Sequence, residues 1–279
     1  MRQMTCRWLF VVGGATILAG CGDRAQVISE PNTLASIAST RDEAADEHDD
    51  VGRDDVRIVS ATGDITAAVN DYRNLLGALN PNVAGEQPGE RREINWDGVP
   101  AAFTNNDLFP GDFFNKNSPR GVVFTTNGSA FRISNNGYVD VNPGYAGEFN
   151  FFSPTKLFAT RDGTITDVQF FVAGSDTPAL VRGFGSVFAD VGRANSTTIE
   201  YFDAAGNRLL RIKAPRRSDA AGLSFLGAVF DSRIVSRVRI TSGDTPIGPD
   251  ALDNVRRAGH KHDIVVMDDF IYGEPRAAQ

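Results

Sequence analysis

The stretch TTIEYFDAAGNRLLRI, residues 197–212, decides how the rest of the chain is read. Thr197–Phe202 is rich in β-branched and aromatic residues, and Leu209, Leu210 and Ile212 resume the apolar pattern. Between them, Asp203-Ala204-Ala205-Gly206-Asn207 brings together residue types that reverse a chain. The spacing predicts two antiparallel strands joined as a hairpin. The same composition recurs on both sides, in REINW (92–96), GVVFTT (121–126), TDVQFFVA (166–173), LVRGFGSVFADV (180–191), LSFLGAVF (223–230) and RVRITS (237–242). Turn residues separate these segments, and no long helical period occurs after residue 80. About ten to twelve short strands suit one antiparallel sandwich or barrel rather than two domains. The mixed apolar runs favour two stacked sheets with a common core. The chain has 19 Phe against 5 Tyr and 2 Trp, a balance that favours core filling over an exposed stacking platform.

One helix is expected before the strands. Ile65, Val69, Tyr72, Leu75, Leu76 and Leu79 recur at helical spacing. Asp64 is the predicted N-cap, and Asn80-Pro81 the predicted stop. The narrow stripe needs something to pack on, and the following domain is the expected target.

The N-terminus reads as an export signal, residues 1–20. Arg2 and Arg7 give a basic start, and Trp8 to Ala19 is an uncharged apolar run. It is too short for the roughly 20 residues of a membrane-spanning helix. Leu18-Ala19-Gly20-Cys21 resembles the bacterial lipoprotein box. That resemblance implies a lipid on the Cys21 thiol, cleavage before Cys21 and acylation of the new amine. Several acyl chains would anchor the protein at the cell envelope, whereas one holds only marginally. Family rules tie an aspartate directly after the cysteine to inner-membrane retention. Gly22 stands there and the aspartate is Asp23, so the outer membrane is the default. With Cys6 removed and Cys21 lipidated, no disulfide is available. Removing residues 1–20 takes two arginines and no acid, moving the formal charge from −7 to −9. A protein this acidic is a poor nucleic-acid binder. Residues 21–62 read as a disordered acidic tether, because RDEAADEHDDVGRDD (41–55) has almost nothing to bury. His48-Asp49-Asp50 lies within that spacer.

Six segments together carry a family resemblance: RREINWDGVPAAF (91–103), FFNKNSPRGVVFTT (113–126), GFGSVFADV (183–191), TTIEYFDAAGNRL (197–209), GLSFLGAVFDSRIVSRVRIT (222–241) and VVMDDFIYGEP (265–275). They resemble exported bacterial proteins of uncharacterised function. More loosely, they resemble the jelly-roll domains of bacterial proteins with C-terminal sorting anchors. The resemblance spans residues 63–276 and implies a mainly β fold. The expected architecture is an antiparallel jelly-roll β-sandwich over 91–276, preceded by one amphipathic helix over 63–80. It supplies no reaction and no ligand. Where those relatives read Asp-Val-Asp, this chain has Asp190-Val191-Gly192, so a cation on that turn would lose one carboxylate. No C-terminal sorting helix is expected here, in keeping with anchoring through Cys21.

Enzyme signatures are absent from the sequence. There is no Gly-x-Ser-x-Gly elbow, no His-Glu-x-x-His, no phosphate loop and no thiol nucleophile. Asp268 and Asp269 in DIVVMDDFIYGEP (263–275) are the most conspicuous acids. Neighbours on a strand point to opposite faces, so the two cannot form one acid/base pair unless a bulge intervenes. Jelly-roll binding modules often hold calcium where the first and last strands meet. Glu93 and Asp97 on the first strand, with Asp268 and Asp269 on the last, are therefore the candidate ligands of a structural Ca²⁺. The plainer alternative is a strand end with solvated acids. His260 and His262 stand two apart without an evident third ligand, and more simply belong to a loop exit. Arg216-Arg217 and Arg256-Arg257 read as surface turns.

These observations favour a lipid-anchored, extracytoplasmic β-sandwich with a binding or structural role at the envelope, facing periplasm or exterior. Polysaccharide and envelope proteins are the natural partners. Two other readings stay open. One is a glycan-active enzyme with acids from loops, such as Asp107, Asp112, Glu148 and Asp190. The other is a scaffold subunit that docks through helix 64–79.

Overall fold

The computed structural model describes residues 36–38, 55–217, 222–253 and 262–278. The chain divides into Met1–Asn32, outside those residues, and Thr33–Gln279. The expectations on the export signal, Cys21, His48, Arg256, Arg257 and His260 likewise fall outside the described residues.

In chain order the strands are β1 (Ser36–Ala38), β2 (Val56–Thr62), β3 (Arg91–Ile94), β4 (Val122–Thr126), β5 (Ala130–Ser134), β6 (Leu157–Arg161), β7 (Ile165–Phe170), β8 (Ala179–Leu180), β9 (Gly183–Ala189), β10 (Thr198–Phe202), β11 (Arg208–Lys213), β12 (Leu223–Phe230), β13 (Arg237–Thr241), β14 (Val266–Gly273) and β15 (Arg276–Ala277). Helix α1 (Thr66–Leu76) follows β2, and a single turn, α2 (Phe113–Lys116), precedes β4. Among the described residues no helix is long and apolar enough to cross a membrane.

The fold is a mainly β, antiparallel sandwich. One sheet runs β1-β2-β12-β9-β14-β6-β5, with β3 also on β14, and the other runs β11-β10-β13-β7-β4. The hairpin at 197–212 forms as expected: β10 and β11 pair, and Asp203 and Asn207 close the turn between them. The chain passes repeatedly from one sheet to the other, at β6 to β7, β9 to β10, β11 to β12 and β13 to β14. This is how a sandwich buries sequential strands in a single core. Phe124, Val168, Phe184, Tyr201, Ile240 and Phe270 lie within that core.

The larger sheet is covered on its other face as well. There α1 packs Ile65, Val69, Tyr72 and Leu76 against Val59, Val187, Phe225 and Ile271. Further along, Tyr138, Tyr145, Phe149 and Ile247 cover Ala159, Ala189 and Val266. Cover on both faces explains why β9, β12 and β14 are buried almost throughout rather than at alternate residues.

Three expectations on boundaries need correction. The tether was expected to reach residue 62, but β2 is an integral strand that pairs with β12 over Val56–Thr62. The sandwich therefore begins before the helix rather than at residue 91. The helix ends at Leu76, not at Asn80-Pro81, because Gly77 takes φ 107° and its N–H bonds back to the Arg73 carbonyl. Leu79, expected on the apolar stripe, is consequently exposed. At the start of the helix, Asp64 accepts from the N–H of Thr66 at 3.1 Å, while Ile65 holds the N-cap position.

The helix is seated by a notch of two glycines. Gly185 on β9 is the register partner of Gly227 on β12. A Cβ at Gly227 would stand 2.7 Å from the Tyr72 ring, and one at Gly185 would stand 3.0 Å from it. The ring fills the space that they leave, and its hydroxyl donates to the Ala228 carbonyl at 3.0 Å. Gly227→Ala should therefore lift α1 from the sheet and cost about 1–3 kcal/mol. Equilibrium denaturation of the variant measures the loss; an unchanged midpoint would contradict the notch.

Candidate functional site

The site forms where β14 breaks its own alternation. Against β9, Met267 pairs with Phe188 and Phe270 with Ser186. Asp268 and Asp269 therefore stand together opposite the single residue Val187, as a β-bulge. The opposite edge of β14 is shared. β6 reaches it at Met267, and β3 takes Phe270–Gly273, so neither strand pairs with the two aspartates. The expectation that adjacency sends the two side chains to opposite faces is overturned, because the bulge removes the period-2 rule locally.

Other groups close the break. The Trp96 indole N–H donates to the Asp268 carbonyl at 2.8 Å, and its ring stacks on Phe158 at 4.1 Å. The Asp268 carboxylate accepts from the backbone N–H groups of Phe152 (2.7 Å) and Ser153 (3.2 Å) and from the Ser153 hydroxyl (2.7 Å). Asp269 accepts a long contact from Arg73, at 3.4 Å, on Oδ2. Its Oδ1 is buried without a donor.

Both carboxyls are buried, and they interact directly with each other. Burial pushes Asp268 up to about 8, with the neighbouring Asp269 charge the next cause and the Ser153 and Phe152 donors opposing it. Burial raises Asp269 too, against the pull of Ser153, Asp268 and Arg73. Two carboxyls this close and this buried oppose each other's ionisation, so both are held above the usual carboxylate range.

Beside Asp269 opens a cleft of about 360 Å³ between α1, the loop after it, and β3. Arg73, Asn82, Glu93, Asn95 and Asp269 line it, with Leu79 and Phe152 as its apolar part. Arg73 grips Glu93 with two hydrogen bonds, of 3.0 and 2.9 Å, and Arg91 adds a third at 2.6 Å. Glu93 is thus matched within the cleft, and Arg120 adds a second cation to its lining.

The four acids expected to hold calcium do not converge. Asp268 and Asp269 join, and Glu93 reaches the same cleft. Arg73, however, stands between Glu93 and Asp269 as a cation already in place. Asp97 faces elsewhere and accepts from the N–H (3.0 Å) and hydroxyl (2.7 Å) of Thr155. Nothing in strand spacing announces Arg73, which arrives from the helix through tertiary packing. Among the described residues, Glu148, Asp190 and Asp253 form a separate group, each with an oxygen within 4.8 Å of the others. Of the loop acids considered for catalysis, Asp107 instead pairs with Arg132 and Asp112 with Lys116. His262 lies 2.9 Å from the Thr245 hydroxyl, on the surface.

The sequence reading missed a second buried group, just beyond the end of β14. Glu274 in GEP and Arg92 in REINW form a fully buried ion pair, with bonds of 2.6 and 2.9 Å. Arg92 also donates to the carbonyls of Pro81, Val83, Gly85 and Pro119, and Asn80 donates to Glu274. This network fixes the loop that roofs the cleft.

No family model matches the chain, and no curated protein matches it. Among solved structures, the enzymatically active domain of bacteriophage CBA120 tailspike protein 4 is similar over 49% of this chain at 14% identity, with a TM-score of 0.19. The match spans 20% of that chain, and a score this low carries no argument.

The raised carboxyls give the site a pH signature. An aspartate whose folded pKa is raised above its unfolded value contributes stability at low pH and loses it as pH rises. Here the loss falls between about 4 and about 8. Asp269→Asn removes the conflict and leaves Asp268 with its three donors. The variant should be more stable than wild type at pH 8, by at least about 1 kcal/mol, with a flatter pH profile. Parallel melts at pH 5 and pH 8 test this; equal destabilisation at both would contradict it.

Proposed function

We propose that this chain is a lipid-anchored, extracytoplasmic binding module of the cell envelope, with a carbohydrate held in the cleft beside Asp269. One observation carries the reading. The cleft combines the amides of Asn82 and Asn95, the arginines Arg73 and Arg120, a buried carboxylate and an apolar flank at Leu79 and Phe152. Hydroxyl groups donate to carboxylates and accept from amides and guanidinium, and the apolar flank suits the C–H face of a sugar. Its volume of about 360 Å³ lies within the range of small-molecule sites.

The enzymatic alternative is less well supported. Glycoside hydrolysis places two carboxyls about 5 Å or more apart, on either side of the bond that breaks. Asp268 and Asp269 touch each other, and Asp268 does not line the cleft. Docking to a partner through the helix is also less favoured, since the apolar face of α1 packs on its own sheet.

Binding of the purified protein to a glycan array, with reducing ends monitored, tests the assignment. Wild type should bind without releasing reducing ends, and the double variant Asn82→Ala, Asn95→Ala should bind at least tenfold more weakly. Equal binding by the variant, or turnover, would overturn it. Anchoring has its own assay. Cys21→Ala should leave the membrane fraction, and a variant that stays processed and membrane-bound would refute the lipid anchor.

A further inference from the structure

The smaller sheet differs from the larger one in having a charged outer face. Its inward residues, among them Ile199, Tyr201, Ile212, Val238, Ile240 and Val168, are buried in the core. The alternate residues face away and form rows across the strands. Arg211, Glu200, Arg239 and Asp167 fall in one register row over β11, β10, β13 and β7. Arg208, Phe202 and Arg237 form the next, and Lys213 continues β11 opposite Thr198.

Among the described residues, four arginines, Arg208, Arg211, Arg237 and Arg239, therefore share this face with the two carboxylates Glu200 and Asp167. Glu200 meets Arg208 at 3.2 Å and Arg211 at 4.0 Å. Asp167 accepts from Arg237 at 2.8 Å and from Arg239 at 2.9 and 2.8 Å. Each acid thus answers two guanidinium groups. The cations also stand further out, since Arg211 and Arg239 are 37% and 39% exposed against 17% for each acid. The Arg237 guanidinium lies over the Phe202 ring, 3.8 Å from its centroid.

A ladder of cross-strand ion pairs would stabilise the sheet with charges in balance. The imbalance here is positive, on a chain whose formal charge is −7. Such local reversal of sign marks a surface that attracts polyanions. We infer that the outer face of the smaller sheet is a docking surface for a linear polysaccharide bearing carboxylate groups. Guanidinium planes match carboxylates in paired hydrogen bonds. The row from β11 to β7 spans three inter-strand spacings, about 14 Å, enough for an extended chain to meet several cations. The favoured occupant is a polysaccharide rather than an anionic membrane, because the face offers nothing to insert. The exposed large apolar residues are Leu79, Val83, Leu108 and Leu252, all outside the strands of this sheet.

This surface is separate from the cleft, and either assignment can fail without the other. The test is binding of the purified protein to polygalacturonate, with dextran and phosphatidylglycerol vesicles in parallel. Polygalacturonate should be bound, weakening at least tenfold between 50 and 500 mM salt, with dextran ignored. Arg211→Gln with Arg239→Gln should lose at least tenfold in affinity, and Arg211→Lys with Arg239→Lys, which keeps the charge and loses the paired hydrogen bonds, should fall between that variant and wild type. A thermal melt confirms that both variants fold. Absent binding, equal binding by the glutamine variant, or capture by vesicles in place of polygalacturonate would overturn the proposal.

Discussion

A central strand with partners on both edges cannot slide, and the bulge at Asp268–Asp269 is the constraint to which this site is fitted. β14 is held by β9 along one side and by β6 and β3 along the other. One extra residue therefore cannot be absorbed by a change of register. It collects two carboxyls in the dry interior and leaves a gap between β3 and β6. Trp96, Phe152 and Ser153 fill that gap from one side, and the cleft opens beside it. The protonation of the pair follows from its placement. Burial disfavours one charge and forbids two.

The layers around that strand explain the rest of the architecture. Tyr72 in the glycine notch fixes the helix on the larger sheet, and this places Arg73, its neighbour, over Glu93 and Asp269. The buried Arg92–Glu274 pair fixes the loop after the helix. Breaking such a pair strands a charge in the core, so this network contributes rigidity around the cleft more than net stability. Cleft geometry is thus set by two tertiary anchors, neither of which lies in the cleft.

How much of this was legible from residue order depends on the range of the interaction. The hairpin at 197–212, the helix stripe and the all-β character follow from local pattern, and the structure has them. β2 was hidden because VRIVSAT follows directly on a run of acids, and composition averaged over both reads as tether. The stop at Gly77 was readable from the glycine itself, but Asn80-Pro81 was the louder signal. The aspartate pair shows a harder limit. Strand periodicity separates adjacent side chains, and only the pairing partners reveal where that periodicity is interrupted. Arg73 was unreadable for a similar reason, since its ion pairs join α1 to β3 and β14.

If burial and mutual repulsion govern this pair, Asp268 and Asp269 should hold one proton between them at neutral pH. Carboxyl ¹³C NMR of the aspartate-labelled protein, titrated from pH 3 to pH 9 and assigned with Asp268→Asn and Asp269→Asn, measures it directly. One carboxyl of the pair should titrate near pH 8, at about the value to which burial raises Asp268. Two ordinary titrations near pH 4 would show the pair to be solvated and separate, contradicting the account.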